Sequence, residues 1–590
     1  MKKIFTLALV LLVATAGYSQ VRKVSKTENF ENVQSEPLMT RSDGELDYTT
    51  YDWQTNAGPR NWTIQWPDGK VNFAYNYAAL ESLIDLGTGI GTYDVTNDEW
   101  IPLDGRIEVE KTSFGSIARF RDNSIVVAAN TASSIGVFIV EDKDNLTSHS
   151  VQATSYLDGT NDPRWPAVMT SGANRDIIHI IATGYADNKL YYFRSRDGGE
   201  SWDKENVILP YLTEEYGSFW GSHVAYWMET TEDNCLALVV NNPWSDGMVI
   251  YSYDNGESWE RKVFYHHPGI NTTFDDWFMY PRWTSCVWGA NDELRVAYEF
   301  NCSTGEPGSG SYDPAIGGVA FWSESLPHQS NGQPFIMDAE YIRELWDSSP
   351  YFHNPPYQIW PEYFGYVENE LDSLEFHLDD FSLHGDYKCG PVAMPVLIKV
   401  PDHDPCMVAV WISIDENNID LNGNYYFKLW ASVTTDGGHY WWNKVELTDD
   451  FMWEFSEFVY PQVAVSDMTL VIAAQCDYET GSHIQNGNIE YTDTYYQGFT
   501  FELYELFPIV PFDTPEVEHN THVTVYPNPA VDQLHVTLSK NADIVIYNIM
   551  GQAVKNVEGH VGANSLDISE LNAGVYFVKA GSGTQRFVVK

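Results

Sequence analysis

Basic side chains are scarce in this chain of 590 residues, which has 33 Lys and Arg against 83 Asp and Glu and a formal net charge of −50. Phosphates of nucleic acids and anionic membrane surfaces are repelled by a protein of such negative charge. The composition therefore argues against a nucleic-acid partner and against electrostatic binding to an anionic membrane.

Long apolar runs are missing after the first twenty residues, so no transmembrane segment is predicted there. Residues 1–20 read MKKIFTLALVLLVATAGYSQ, with two lysines before an apolar run and small residues before Gln20. The apolar run is too short to span a bilayer, and the pattern is typical of a secretory signal peptide. We therefore expect an exported protein.

Cysteine is also sparse, with six residues and no Cys-x-x-Cys pair that would favour a zinc site. An even number of cysteines in an exported chain permits disulfides, although the sequence does not select a pairing. Burial as small apolar side chains is the alternative.

One octet, Ser/Thr-x-Asp-x-Gly-x-x-Trp, occurs three times, as SRDGGESW (195–202), SYDNGESW (252–259) and TTDGGHYW (434–441). Glycine allows a tight hairpin, aspartate accepts hydrogen bonds from nearby backbone amides, and tryptophan can pack the hairpin onto its blade. We therefore expect the octets to hold turns rather than to perform chemistry. The octet residues are Ser195, Asp197, Gly199, Trp202, Ser252, Asp254, Gly256, Trp259, Thr434, Asp436, Gly438 and Trp441.

Apolar runs split by turn residues precede each octet, and similar pairs of runs recur without a clean octet. Candidate four-stranded units begin near residues 61, 114, 164, 220, 280, 389 and 459. This repetition predicts an all-β fold: a β-propeller of seven blades over residues 21–508, with six blades as the alternative. An irregular insert over 326–389 interrupts the spacing, and we expect it to cover part of the face formed by the loops leading into the first strands.

The octets resemble the Asp-box (BNR) repeats of sialidase-like propellers. In that family the boxes are structural and lie on the face opposite the active site. The family's site holds a substrate carboxylate with three arginines and uses an acid/base aspartate and a Tyr/Glu nucleophile pair.

This resemblance is incomplete at the site, because only Arg164, Arg282 and Asp187 match the catalytic residues in part. No third arginine is evident. Candidates for the nucleophile pair, matched by place alone, are Tyr280, Tyr460, Glu454 and Glu457. A sialidase-like glycoside hydrolase is therefore the alternative function, and binding without catalysis ranks first.

The loops that lead into the first strands mix aromatic residues with acidic ones. Aromatic faces stack on sugars, and carboxylates bind hydroxyl groups or Ca²⁺. We therefore expect a glycan or a surface protein to bind there, although packing between blades is the alternative for each ring. The candidate ligand-binding residues are Trp165, Trp220, His223, Tyr280, Trp283 and Tyr460. The candidate Ca²⁺ ligands are Asp158, Asp162, Asp275 and Asp276, whose spacing does not match an EF-hand loop, and no other cofactor is expected.

The last seventy residues differ from the rest in composition. Residues 509–522 are predicted to form a linker. Residues 523–590 carry five acidic and five basic side chains, so the excess negative charge lies upstream of them. Short alternating strands with turns between them predict a small, immunoglobulin-like β-sandwich as a separate domain.

Several motifs in this domain occur in order: Tyr526–Pro529 (YPNP), Ile546–Gln552 (IYNIMGQ), Leu571–Tyr576 (LNAGVY) and Arg586–Lys590 (RFVVK). Together they resemble the type A C-terminal sorting domain of the type IX secretion system. The resemblance implies contact with that machinery and passage across the outer membrane of a Gram-negative bacterium. The protein would then be released or attached to the outer cell surface.

Overall fold

The structure, a computed structural model, describes residues 42–590 except 56–60, 104, 147–150, 218–224, 232–234, 268–273, 290–291, 307–310, 326–361, 366, 369–373, 376–386, 388, 421–422, 443, 486–493, 508–522, 539–540, 549–551 and 581–582. The predicted signal peptide and linker lie outside these residues. The described chain is almost entirely β-structure, which confirms the all-β prediction. No helix in it combines the length and apolar character needed to cross a membrane.

Seven four-stranded antiparallel sheets contain all the described strands up to Glu502 except those of one small hairpin. The N-terminal strand is β1 (Ser42–Thr49). Sheet 1 contains β2 (Thr63–Gln65), β3 (Lys70–Tyr77), β4 (Gly87–Asp94) and β5 (Glu99–Ile101). Sheet 2 contains β6 (Ser113–Phe120), β7 (Ser124–Asn130), β8 (Ile135–Val140) and β9 (Ala153–Tyr156). Sheet 3 contains β10 (Pro163–Ser171), β11 (Ile177–Gly184), β12 (Lys189–Ser195) and β13 (Lys204–Val207).

The same order of strands continues along the chain. Sheet 4 contains β14 (Ala225–Thr230), β15 (Leu236–Asn241), β16 (Gly247–Ser252) and β17 (Glu260–Tyr265). Sheet 5 contains β18 (Phe274–Trp288), β19 (Leu294–Gly305), β20 (Ser311–Ser323) and β21 (Glu362–Gly365), and a small hairpin, β22 (Val367–Glu368) and β23 (Leu374–Glu375), follows it. Sheet 6 contains β24 (Val392–Lys399), β25 (Met407–Ile419), β26 (Tyr425–Thr434) and β27 (Val445–Glu446).

Sheet 7 contains β28 (Glu457–Ser466), β29 (Thr469–Asp477) and β30 (Thr494–Glu502), and its fourth strand is β1 from the other end of the domain. Ser42 pairs with Thr500 and Thr49 with Thr494 in this antiparallel contact. The first strand of each sheet contacts the first strand of the next, and β28 contacts β2. The seven sheets therefore form a closed, propeller-like ring.

The two faces of the ring carry different loops. Ser195, the first octet residue, follows β12 at the edge where Ile177 pairs with Ser171, the last residue of β10. Octets therefore lie on the face where first strands end, which we call the lower face. The upper face carries the loops that lead into first strands and the turns between second and third strands.

Asn61 occupies the interior of the ring just before β2. Its side chain donates to the Met228 carbonyl of β14 (2.6 Å) and accepts from the Met228 amide (3.3 Å). Its own carbonyl accepts from the Ser116 hydroxyl of β6 (3.0 Å). Asn61 thus links the start of sheet 1 to β6 of the neighbouring sheet 2 and to β14 of sheet 4, which is not a neighbour of sheet 1.

First strands are kinked at a bulge in which the residue before proline has a positive φ: Trp165 (54°), Met394 (54°) and Tyr460 (55°). The pairing register shifts at each of these positions. The equivalent prolines of sheets 3, 6 and 7 are therefore Pro166, Pro395 and Pro461.

The 326–389 insert contributes a strand to the ring, because β21 within it pairs with β20 and completes sheet 5. The long stretch 326–361, which lies outside the described residues, therefore separates the third and fourth strands of one sheet. That the insert covers part of the upper face stays a prediction.

Five of the six cysteines, Cys235, Cys286, Cys389, Cys406 and Cys476, are buried free thiols. The Cys302 side chain is outside the described part. Burial as small apolar residues, the alternative to disulfides, therefore holds for these five.

The C-terminal domain has two sheets around its own apolar core. One contains β31 (Val523–Tyr526), β32 (Gln533–Leu538) and β35 (Gly562–Asp567). The other contains β33 (Ala542–Asn548), β34 (Ala553–Gly559), β36 (Gly574–Ala580) and β37 (Gly583–Val589). Leu534, Val536, Ile544, Val578 and Phe587 are fully buried between them.

Candidate functional site

The three octets share one hydrogen-bond pattern. In the first, the Asp197 carboxylate accepts from the Ser195 hydroxyl and from the Ser201 amide, both at 2.8 Å. The Ser195 hydroxyl accepts from the Gly199 amide (2.8 Å). The same contacts recur around Asp254 and Asp436. The octet carboxylates are occupied by their own turns, as expected of structural elements.

Two of the octet glycines, Gly256 and Gly438, leave no room for a side chain. A Cβ on Gly256 would lie 2.3 Å from the Tyr192 hydroxyl, and one on Gly438 would lie 2.0 Å from the Phe321 ring. Both glycines also have positive φ, 76° and 93°.

The octet tryptophans pack on the preceding sheet and not only on their own. Trp259 of sheet 4 is T-shaped to Tyr192 of sheet 3, with centroids 5.4 Å apart. Trp441 of sheet 6 is T-shaped to Phe321 of sheet 5 at 5.3 Å, and the Trp202 indole N–H donates to Ser155 of sheet 2 (3.2 Å). Each octet therefore joins two adjacent sheets.

The partial sialidase-like residues are engaged in separate local contacts. Arg164 pairs with Asp162 (3.0 Å) and lies over the Tyr185 ring at 5.3 Å. Asp187 is exposed in the turn after β11 and accepts from the Tyr191 hydroxyl (2.6 Å). Among their described contacts, neither residue approaches Arg282.

Arg282 is buried, and its charge acts on a different group, Glu299. Burial raises the pKa of Glu299 to about 8, and the Arg282 charge opposes that rise. One Glu299 oxygen accepts from the Gly390 amide (2.8 Å) and from the Asn301 side chain. Arg282 therefore contributes to a buried Arg–Glu group and not to a shared arginine clamp with Arg164.

The aromatic candidates for stacking are covered by protein. Trp165 is 7%, Tyr280 4%, Trp283 1% and Tyr460 1% exposed. Trp283 packs on Tyr460 (6.0 Å), and Trp165 lies between Phe114 and Tyr185. A ring without an exposed face cannot stack on a soluble sugar, so these residues pack within the ring in this structure. Trp220 and His223 lie outside the described residues.

The candidate Ca²⁺ ligands do not form a shared site where they are described. Asp158 accepts from Thr160 and Asn206, whereas Asp162 pairs with Arg164. The side chains of Asp275 and Asp276 are outside the described part. In the described chain, no cluster of three or more His, Cys, Asp or Glu residues is arranged to hold a metal.

A buried acidic group, which we call the acid centre, lies at the upper edge of sheet 7 and contains Asp52, Glu457, Asp477 and the hydroxyl of Tyr387. Glu457, the first residue of β28, is paired directly across the ladder with Asp477, the last residue of β29. Two carboxylates in this relation repel each other. Asp52 follows β1 and accepts from Ser482 (3.0 Å) and from the amides of His483 and Ile484.

The hydrogen bonds of Tyr387 indicate that Glu457 carries a proton. The Tyr387 hydroxyl is 2.7 Å from a Glu457 carboxyl oxygen and 2.7 Å from the Gly481 carbonyl. A carbonyl can only accept, and the hydroxyl has one proton to donate. Both contacts are satisfied when tyrosine donates to the carbonyl and a protonated Glu457 donates to tyrosine. The same Glu457 oxygen also accepts from the Gly481 amide (2.8 Å), which the hydroxyl oxygen of a carboxylic acid can do.

Electrostatics supports the same assignment. Burial raises the pKa of Glu457 to about 8, against its hydrogen bonds to Tyr387 and Gly481, and the Asp52 charge adds to the rise. Burial and the Glu457 charge also raise the pKa of Asp477. The second Glu457 oxygen, Oε1, has no hydrogen bond within 3.5 Å among the described residues, although the Phe427 amide is close enough to lower its pKa.

Exposed apolar side chains lie beside the acid centre on the upper face. Phe455 and Tyr478 are 58% and 59% exposed, and we call these two residues the aromatic rim. Met452, in the same loop as Phe455, is 57% exposed. Tyr426 connects the rim, because it is T-shaped to Phe455 at 6.5 Å and donates to the Tyr478 carbonyl (3.4 Å). Unlike the buried candidates for stacking, the rim residues have side chains that a ligand can reach.

Sequence reasoning reached this site only in part. Glu457 was selected by place and Phe455 lay in a selected loop, but Tyr387, Asp52, Asp477 and Tyr478 were missed. Asp477 and Tyr478 follow a second strand, so including second-to-third turns in the upper face would have found them. Asp52 and Tyr387 reach the site by long-range folding, which leaves no local signal.

Residues 524–590 match the family described as the secretion system C-terminal sorting domain. This match confirms the predicted C-terminal domain, and the sorting tail marks the chain for secretion to the cell surface or the extracellular space. Among curated proteins, none matches the chain in sequence.

Several solved structures are similar at low identity. An α-L-arabinanase of Penicillium chrysogenum with arabinobiose shares 11% identity, with a TM-score of 0.36, over 80% of this chain and 99% of the other. A xyloglucanase of Xanthomonas campestris shares 12%, with a TM-score of 0.37, over 92% and 68%. PorZ, a surface component of the type IX secretion system of Porphyromonas gingivalis, shares 11%, with a TM-score of 0.33, over 90% and 59%. These values are too low to transfer an activity.

Proposed function

We propose that this protein is a type IX secretion cargo: a seven-bladed Asp-box β-propeller joined to an immunoglobulin-like sorting domain. The closed ring of seven sheets and the shared octet geometry support the propeller. The match over 524–590 supports the export route. In this proposal the sorting domain contacts the secretion machinery, and the propeller is the functional part displayed or released outside the cell.

We further propose that the upper face binds a glycan at the aromatic rim. The observation that carries this proposal is the exposure of Phe455 and Tyr478, which Tyr426 links by contacting the Phe455 ring and the Tyr478 carbonyl. Exposed aromatic faces stack on sugar rings, and neighbouring carboxyl groups can accept from sugar hydroxyls. The buried acid centre behind the rim fixes the ends of the two strands that present it.

A glycan array with the full chain tests this function. Phe455→Ala and Tyr478→Ala should each reduce binding about tenfold, as expected for the loss of an aromatic contact of about 1.4 kcal/mol. Tyr504→Ala is the matched control, because Tyr504 is 50% exposed and follows Glu502, which pairs with Thr469 at the opposite edge of sheet 7. Binding that survives both rim substitutions would refute the proposed site.

A sialidase-like hydrolase is the second candidate, and the Tyr387–Glu457 hydrogen bond favours it. The two residues form a hydrogen-bonded Tyr/Glu pair of the kind that the resemblance implies, but both side chains are buried. Hydrolysis of a fluorogenic sialoside that is abolished by Tyr387→Phe would establish this function. We expect no hydrolysis, because Arg164 pairs with Asp162 whereas the charge of Arg282 acts on Glu299. In addition, Asp187 already accepts a hydrogen bond from Tyr191.

A further inference from the structure

The charged side chains around the aromatic rim are predominantly acidic. Glu454 and Glu479 are the sequence neighbours of Phe455 and Tyr478, and Asp420 accepts from Thr480 (2.8 Å). Other acidic residues of this region are Asp415, Glu446, Asp449 and Asp450. Lys428 and Lys444 are the only lysines, and there is no arginine, between residues 400 and 485 of the sequence.

Lys428 does not offer its charge to the surface of the rim. Lys428 is 2% exposed, and its ammonium donates to the carbonyls of Trp453 (2.5 Å), Glu454 (3.0 Å) and Ser456 (3.0 Å). Lys428 therefore supports the rim loop from inside. The Lys444 ammonium lies over the Trp430 ring at 5.0 Å.

The acidic neighbours of the rim also affect the pKa of a nearby carboxyl group, that of Glu446. Burial first, and then the charges of Asp415 and Asp449, raise the pKa of Glu446 to about 7 against the two lysines. The charges of Asp415 and Asp449 that contribute to this rise also attract cations and repel anions at the rim.

We propose that the aromatic rim selects a glycan bearing protonated amines, an amino-sugar polymer, over neutral and acidic glycans. The inference rests on the proposed glycan binding and specifies its ligand. Ammonium groups gain cation–π contacts with Phe455 and Tyr478 and Coulomb attraction to Glu454 and Glu479. Uronic or sialic acids meet the same carboxylates with the opposite sign, so repulsion provides the discrimination.

Calorimetry on the full chain with three hexamers tests this selection: glucosamine, N-acetylglucosamine and galacturonic acid. At low salt and a pH that keeps the amines protonated, the glucosamine hexamer should bind at least tenfold more tightly than its N-acetylated form. The galacturonic acid hexamer should not bind measurably. The preference should shrink as salt is added, because exposed charges are screened.

Glu454→Gln with Glu479→Gln should remove the preference for the amine while binding of the N-acetylated hexamer is retained. Asp449→Asn with Asp450→Asn is a second charge-matched variant and should weaken the preference in the same direction. Equal binding of the two forms by the unmodified protein would overturn the inference and leave glycan binding intact. Tighter binding of a lysine nonapeptide would overturn the glycan assignment, and an empty glycan array would overturn both proposals.

Discussion

The buried side chain of Glu457 connects several elements at the upper edge of sheet 7. It faces Asp477 across the ladder, contacts Tyr387 and is 1% exposed. An ionised carboxylate in that position would be both desolvated and repelled, so the neutral form is favoured. Tyr387 and Gly390 are then each held by a buried carboxyl group, Tyr387 by Glu457 and Gly390 by Glu299.

Glu457→Gln should stabilise the protein at neutral and mildly alkaline pH. The pKa of Glu457 is raised from 4.5 to about 8 in the folded state, so its contribution to stability is present below about 4.5 and lost as the pH rises to about 8. Glutamine keeps the shape and cannot ionise, and its oxygen at the same position can still accept from the Gly481 amide (2.8 Å for Glu457). We expect a gain in unfolding free energy on the order of 2 kcal/mol or more at pH 8.

Denaturant unfolding of both proteins at several pH values measures this difference. The gain from Glu457→Gln should be small near pH 5 and increase up to about pH 8. Asp52, Asp477, Tyr387 and Cys476 face the same group and titrate in both proteins, so the comparison removes much of their contribution. A difference that does not change with pH would show that Glu457 is ionised in the folded protein.

Trp259→Ala should destabilise the ring more than Trp202→Ala. Trp259 is 8% exposed and packs on Tyr192, whereas Trp202 is only half-buried. Removing a buried tryptophan costs about 3–5 kcal/mol, and the half-buried one should cost about half of that. Thermal unfolding gives the order of the two, and glycan binding per folded molecule should not change. An octet substitution that reduces binding at unchanged melting temperature would contradict the structural role.

At the scale of elements, the ring is closed by β1. Leu46 at its centre is fully buried, and its side chain lies so close to Gly91 of sheet 1 that a Cβ there would be 2.5 Å away. The strand therefore fastens sheet 7 and packs against sheet 1. Because β1 and β30 come from opposite ends of the domain, their pairing must be lost before the ring can open.

Leu46→Ala should therefore lower the free energy of unfolding by about 2–5 kcal/mol. Ile84→Ala is the control, because Ile84 is 67% exposed in a turn of sheet 1 and should change stability by less than about 0.5 kcal/mol. Chemical denaturation followed by tryptophan fluorescence measures both. Equal effects of the two substitutions would mean that β1 does not fasten the ring.

The strands of the ring could largely be predicted from sequence, whereas its closure and its site could not. Runs such as IIHIIATG, which forms β11, have the apolar and β-branched character of buried strands. β1 reads SDGELDYT, and its one fully buried apolar residue, Leu46, gives no recognisable period. The burial of four stacking candidates could not be predicted for a similar reason: residues such as Trp283 and Tyr460 are aromatic near the upper face, but their burial depends on neighbours from other sheets.

On the scale of the whole molecule, charge and sorting are separated along the chain. The C-terminal domain has no net charge, and the acidic excess lies in the rest of the protein. The acidic part contains the ring and its rim, and the neutral part contains the sorting domain over 524–590. This division fits a protein in which one part serves transport and the other acts after export.

Deletion of residues 523–590 should leave the ring folded and hold the protein in the periplasm. The C-terminal domain buries its own core, which supports its removal as a unit. Cell fractionation with detection of the chain in each compartment measures the outcome. Normal surface display of the shortened protein would show that the sorting domain is not required for its export.

The central claim is that ligand binds the upper face at the aromatic rim, and hydrogen–deuterium exchange of the full chain with and without a bound glycan tests it most directly. We predict that the ligand slows exchange in residues 449–457 and 478–485 and leaves the octet turns at 195–202, 252–259 and 434–441 unchanged. Protection confined to the octet turns, with no change at the rim, would contradict the account.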